Sequence, residues 1–337
     1  MSLPRTMRAV LQPSASSTDL TLTTAPLPTP ERNSTEHLIR VHACALCAGE
    51  LLWPKNFPPA KPRELIPCPD IAGTIVSAPE GSPFRVGDEV YARTNYIRPG
   101  NARDYTIGVT DELALRPKGL SWAESAAIPV SAETAWQILF IHAGIVVDGD
   151  TDIAAAREAW KGKRVLVTAA SGGVGMWVTQ LLAKLLGATV IGTCGPDNVS
   201  LVQSLGAGEV LNYRETDLLE WGARPGNKVD VVIDCIGRKS LEDAWWTVRD
   251  GGVVLSIFQP PTQVRPEDYR GEGVRDVFFV MEPNRKHLEE ITKLVEQGKC
   301  RPMVDSVWPL EQFHEAFKRL DGGHARGKIV LDLSLNQ

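Results

Sequence analysis

A run of small residues, Ala169-Ala170-Ser171-Gly172-Gly173-Val174-Gly175, constrains this chain more than any other feature. It follows a short apolar run at 164–168 and opens an amphipathic stretch that continues to residue 186. A strand, a glycine-rich turn and a helix in that order make the first half of a βαβ unit. The same rhythm continues, with strand-like runs at 189–193, 209–212, 229–235 and 252–258 and helix-like runs at 199–205 and 241–248. Such alternation predicts an α/β domain with a doubly wound parallel sheet. In the turn itself, missing side chains let the backbone approach a pyrophosphate, whose charge is met by free amides and the positive end of the helix. The match to the dinucleotide fingerprint is partial, because Ala170 stands at its first glycine.

Residues 1 to about 125 read differently. Short β-like runs at 7–11, 20–24, 37–43, 71–76, 89–91, 102–107 and 112–115 alternate with proline and glycine turns, which predicts a β-rich domain of barrel type. After Pro260 comes a polar stretch to Arg275, then helices at 285–297 and 310–320 and a last strand at 328–332. Periodicity leaves open whether these last elements extend the parallel sheet or return to the first domain.

A length of 337 residues favours two domains. The net charge is −5 and the 36 basic residues are scattered, which argues against nucleic acid as a partner. No apolar run reaches the roughly 18 residues of a membrane span, and the first residues lack the apolar core of a signal peptide. The expectation is a soluble, cytoplasmic protein with no membrane partner. Cys44, Cys47, Cys68, Cys194, Cys235 and Cys300 are few and lie mostly in apolar sequence, as reduced thiols do.

The second strand of the α/β domain ends at Cys194, where an NAD enzyme carries an acid for the ribose 2′-hydroxyl. Without that carboxylate a 2′-phosphate meets no repulsion, so NADP(H) is the expected cofactor. Asp197 lies three residues further on and argues the other way. The loop carries no lysine or arginine, which leaves Tyr213 and Arg214, after the third strand, as the nearest groups for the phosphate.

The sequence resembles the medium-chain dehydrogenase/reductase superfamily, in its zinc-independent quinone oxidoreductase or enoyl reductase type. The resemblance rests on Met7-Arg8-Ala9-Val10, the 84–90 turn Phe-Arg-Val-Gly-Asp-Glu-Val, Ala126-Ala127 with Thr134-Ala135, the glycine turn, Leu205-Gly206-Ala207 and Gly327-Lys328-Ile329-Val330, in that order. It implies a GroES-like β-barrel catalytic domain (1–125 with 276–337), a Rossmann NADP(H)-binding domain (126–275) and an active cleft between them. It also implies a homodimer. Residues 148–161 look longer than the connection usual in the family, as a surface elaboration or a subunit contact. The expected cofactor set is Ser171, Gly172, Gly173, Val174, Gly175, Thr193, Cys194, Asn198, Tyr213, Arg214, Ile236, Phe258, Phe278, Phe279, Val280 and Lys328.

Zinc members of the family carry a catalytic Cys and a His in two separate turns, because an open zinc site needs three protein ligands. Here the first turn keeps Cys47 and Glu50, but Pro69 stands where the histidine belongs, and the four-cysteine structural loop is absent. No metal is expected. Without a Lewis acid the chemistry points to reduction of a quinone or of the C=C bond of an α,β-unsaturated carbonyl. Cys47, Glu50 and Tyr96 are the catalytic candidates, and Leu52, Trp53, Asn95 and Phe279 the substrate-lining ones. Relatives that reduce enones place a tyrosine where this chain has Leu52, so the proton donor stays open among Tyr96, Cys47, water and the cofactor ribose. Two other readings are a pathway-specific enoyl reductase and a noncatalytic NADPH-binding protein.

Overall fold

The computed structural model describes residues 3–145 and 152–335, and these divide into two compact units. The first comprises residues 1–133 and 282–337, the second residues 134–281. Both seams lie somewhat beyond the expected boundaries at 125 and 275, so helix Trp122–Ala126 and the start of helix Pro129–Gln137 belong to the first unit.

In the first unit, β1 (Thr6–Leu11) and β2 (Thr21–Pro26) form an antiparallel ribbon. The long strand β3 (Glu36–Ala45) pairs antiparallel with β4 (Asp70–Ser77) and also with β6 (Tyr105–Val109). Strand β5 (Glu89–Arg93) continues from β4 and pairs with the short β7 (Ala114–Leu115). Inward-facing Ile39, Ile71, Ile75, Val90 and Leu113 make one apolar core of this unit.

The second unit contains β8 (Arg164–Val167), β9 (Thr189–Cys194), β10 (Glu209–Asn212), β11 (Val229–Asp234), β12 (Val248–Ser256) and β13 (Arg275–Phe278). They form one parallel sheet in the order β10-β9-β8-β11-β12-β13. The order reverses between β8 and β11, which is where open α/β sheets bind ligands, beyond the carboxyl ends of the strands. Val165, Leu166 and Val167 are fully buried, as a strand at that central position requires.

The chain then returns to the first unit. Strand β14 (Val304–Pro309) pairs parallel with β15 (Lys328–Asp332), and β15 closes antiparallel onto β3. The question that periodicity left open is settled by this pairing. Strands β13 and β14 were not anticipated from the sequence, because both are half-exposed and polar. The expected helix at 241–248 is Arg238–Ala244 followed by a tight turn, with Val248 already in β12.

Of the long connection at 148–161, residues 148–151 lie outside the described residues. Its helix Ile153–Trp160 is capped by Asp152, which accepts the amides of Ala154 and Ala155 at 3.0 Å each. Trp160 is fully buried and donates its indole N–H to the Leu139 carbonyl at 3.0 Å, which ties the helix into the second unit. Among the described residues no helix is long and apolar enough to cross a membrane.

Candidate functional site

The glycine turn joins β8 to the helix Gly173–Gln180, which runs on to Leu186. Gly172 caps this helix with no side-chain hydrogen bond, and the first turn carries no acid. The leading amides of a helix have no intrahelical acceptor, so those at Gly173 and Val174 are available to a phosphate. A Cβ on Gly175 would overlap the carbonyl of Ala169, so only glycine lets helix and turn approach this closely. Ala169 itself is left-handed, with φ 49°, a conformation that costs a non-glycine residue energy. Its amide donates to the Thr193 hydroxyl at 3.3 Å, and the Ala170 amide to the Thr193 carbonyl at 2.9 Å. Asn198 reaches Ser171 at 3.3 Å. Four expected cofactor residues, Ser171, Gly172, Thr193 and Asn198, thus meet at one turn.

Cys194 at the end of β9 is buried, and its carbonyl accepts the Tyr213 amide at 3.2 Å. The Tyr213 hydroxyl lies over Gly195, and Arg214 is exposed beside it. Asp197 is exposed on the turn Pro196–Asn198. Ile236 and Phe258, about half exposed, follow the carboxyl ends of β11 and β12. A residue that sequence reasoning missed organises this edge. Buried Asp234 accepts the hydroxyls of Thr168 at 2.8 Å and Ser256 at 2.9 Å, and the Gly237 amide at 2.7 Å. It therefore ties the ends of β8, β11 and β12 together. An acid closing an apolar strand, Val231-Val232-Ile233-Asp234, was the available signal.

In the first unit, a left-handed Gly49 starts the turn Glu50–Leu52. This folds Glu50 inward, where its two oxygens accept the amides of Cys47 at 3.0 Å and Cys68 at 2.7 Å. Burial pushes the Glu50 carboxyl up to about 7 against those two hydrogen bonds. Glu50, Trp53, Asn95 and Tyr96 line one recess, together with Arg63 and Arg93. Trp53 meets Tyr96 edge to face at 6.0 Å. The Tyr96 hydroxyl is buried with no acceptor for its proton, and burial holds it above the usual phenol range while the neighbouring Arg63 opposes that shift.

Other expected residues fall elsewhere. Cys47 does not line this recess, and burial raises its thiol to about 11, so it is a neutral thiol at physiological pH. Leu52 is exposed on the turn. Phe279, expected to touch both substrate and cofactor, is in the second unit and stacks on His142 at 3.9 Å. Its neighbours are Phe278, half-buried at the end of β13, and exposed Val280. Lys328, expected to bind cofactor, is 7% exposed in the first unit, with its ammonium 2.9 Å from fully buried Asp70. Asp70 also accepts the Val130 amide at 2.6 Å.

The donor set does not fit zinc. Pro69 offers no ligand, and among the described residues no group of three or more His, Cys, Asp or Glu side chains is placed to hold a metal. The second unit, by contrast, fits a dinucleotide through its uncapped helix and its Gly175 approach.

Residues 33–132 match the family model "Alcohol dehydrogenase GroES-like domain", and residues 205–331 match "Zinc-binding dehydrogenase". The chain is 50% identical to a probable zinc-binding oxidoreductase, mitochondrial, of Arthroderma benhamiae, over 98% of each chain. It is 32% identical to the chloroplast envelope quinone oxidoreductase homolog of Arabidopsis thaliana, over 91% of this chain and 92% of the relative. The quinone oxidoreductase structure from Coxiella burnetii superposes with a TM-score of 0.76 at 24% identity, over 97% and 99% of the two chains, and shows the same fold. These relatives overturn the expectation of a cytoplasmic protein, since the two curated ones are organellar by name.

Proposed function

Since the chain belongs to the medium-chain dehydrogenase/reductase superfamily, and is an oxidoreductase with a nicotinamide cofactor, we propose that it reduces a quinone or an α,β-unsaturated carbonyl with NADPH and without zinc. One observation carries this reading. The first-unit recess sets Tyr96, Trp53 and Glu50 together, but the chain offers Pro69 where a Lewis acid would need a ligand. Alcohol oxidation needs a means of stabilising an alkoxide, which the metal supplies in zinc enzymes. Conjugate reduction needs only hydride delivery and one proton.

When bound, the reduced nicotinamide supplies the hydride. The glycine turn holds the pyrophosphate through backbone amides, and Tyr213, which lies over Gly195, and the exposed Arg214 that follows it in the chain are the groups for a 2′-phosphate. Hydride addition to the β-carbon of an enone leaves an enolate, whose α-carbon takes up one proton. Tyr96 is the group of the recess that suits this role, being protonated at neutral pH with no acceptor for its proton. Glu50 holds the turn in place through its two amide contacts. The assembly we propose is a homodimer, which light scattering on the purified protein would check.

The test is NADPH oxidation by chelator-treated protein across quinones and enones, with NADH alongside. Turnover that survives chelation and favours NADPH is expected. Activity that disappears on chelation and returns with zinc would overturn the reading, and tight NADPH binding without turnover on any acceptor would favour a noncatalytic binding protein.

A further inference from the structure

Three hydrogen-bond donors in the first-unit recess lack an acceptor. Arg93, at the end of β5, is 6% exposed, and its guanidinium makes no hydrogen bond or ion pair among the described residues. Arg63 places its guanidinium 4.5 Å from the centre of the Tyr96 ring and gives one N–H to the Glu64 carbonyl at 3.0 Å. Its buried Nε has no acceptor, and neither has the Tyr96 hydroxyl.

The neighbouring carboxyls make their hydrogen bonds and ion pairs with groups other than Arg93. Asp70 holds Lys328 and the Val130 amide, while Glu112 holds Arg98 and the Asn95 amide. Glu50 accepts the amides of Cys47 and Cys68. Glu133 accepts the Asn284 amide through Oε1 and its Oε2 is buried without a hydrogen-bond partner, so it makes no hydrogen bond to Arg93, and burial keeps its carboxyl well above the usual range. A buried guanidinium without a counter-ion is unfavourable, and a carboxylate, with two oxygens in one plane, is the group its fork of N–H donors fits best.

Building on the reductase reading above, we propose that Arg93 and Arg63 bind a carboxylate of the acceptor, so that the preferred substrates are α,β-unsaturated carbonyl compounds carrying an acid group. Arg93 and Arg63 are then specificity residues. The hydride and proton go to the C=C bond, and the carboxylate is unchanged.

The experiment compares kcat/KM for 3-benzoylacrylate and its methyl ester with NADPH as reductant. The wild-type enzyme should favour the acid by about tenfold or more, the size of a charge-assisted pair of hydrogen bonds. Arg93→Met should reduce the acid-to-ester ratio by about tenfold, and Arg93→Lys and Arg63→Gln by less. Lys and Gln keep a polar side chain, so they carry the test if the methionine variant does not fold. A wild-type ratio near one, or a ratio unchanged in folded variants, overturns the carboxylate site and leaves the reductase reading standing. If neither compound is reduced, the reductase reading is decided by the wider panel of quinones and enones, and the site is tested by calorimetry with the saturated acid, 3-benzoylpropionate, and its methyl ester on NADP-loaded protein. Tighter binding of the acid that Arg93→Met abolishes supports the site, and equal binding overturns it.

Discussion

At Glu50, burial and hydrogen bonding pull the proton in opposite directions. Burial wins, and the folded carboxyl titrates near 7 instead of near 4.5. The folded state therefore holds a proton that the unfolded chain has released between these values. Stability from this group is full below about pH 4.5 and falls as pH rises toward 7, by about 3 kcal/mol at 1.36 kcal/mol per unit. Melting temperatures of the wild type and Glu50→Gln between pH 5 and 8 check this, with a steeper decline expected in the wild type; parallel curves would contradict it. Tyr96→Phe should lower kcat for enone reduction by about 10²-fold, the lower range for a lost general acid, with a smaller change in KM. Single-turnover kinetics would separate the two effects. Tyr96 and Glu50 were visible in the sequence by their place in family turns. Arg93 and the Lys328–Asp70 pair were not, because each depends on a neighbour that only the fold supplies, in the pair's case across most of the chain.

Among elements, the helix beginning at Gly173 shows how a backbone approach sets a binding surface. Gly175→Ala would push the Ala169 carbonyl out of its place at the turn. Loss of about tenfold or more in NADPH affinity is expected, with destabilisation of about 1–3 kcal/mol from overpacking. Fluorescence titration and thermal melts measure the two separately, and unchanged affinity would contradict this placement of the pyrophosphate. Asp234→Ala should cost about 2–4 kcal/mol, because it leaves the Thr168 and Ser256 hydroxyls and the Gly237 amide without their buried acceptor; urea denaturation checks it. The glycine turn and the central strands were legible because they are apolar, short and bounded by turns. Strands β13 and β14 escaped because edge strands half in solvent carry polar residues, such as Arg275 and Asp276, that break the apolar signal.

For the whole molecule, the two units differ in how directly their sequence patterns dictate their folds. The parallel-sheet unit could be read from alternation alone, whereas the return of the chain to the barrel unit rested on resemblance until β15 was seen beside β3. A dinucleotide at 100 times its Kd should raise stability by about 2.7 kcal/mol, a shift of roughly 5–10 °C in melting temperature for domains of this size. NADPH should produce a larger shift than NADH at equal concentration, and equal shifts would argue against the 2′-phosphate preference.

The pairing of β15 with β3 also sets a timetable for synthesis. Ribosomes add about 5–20 residues each second, so β3 leaves the tunnel roughly 15–60 s before its last partner. Throughout that interval one edge of the growing barrel stays open, and Asp70 waits without Lys328. The parallel-sheet unit lies wholly between these strands, so it can finish folding first, and a nascent chain stalled before residue 328 would expose a bare strand edge that chaperones must cover.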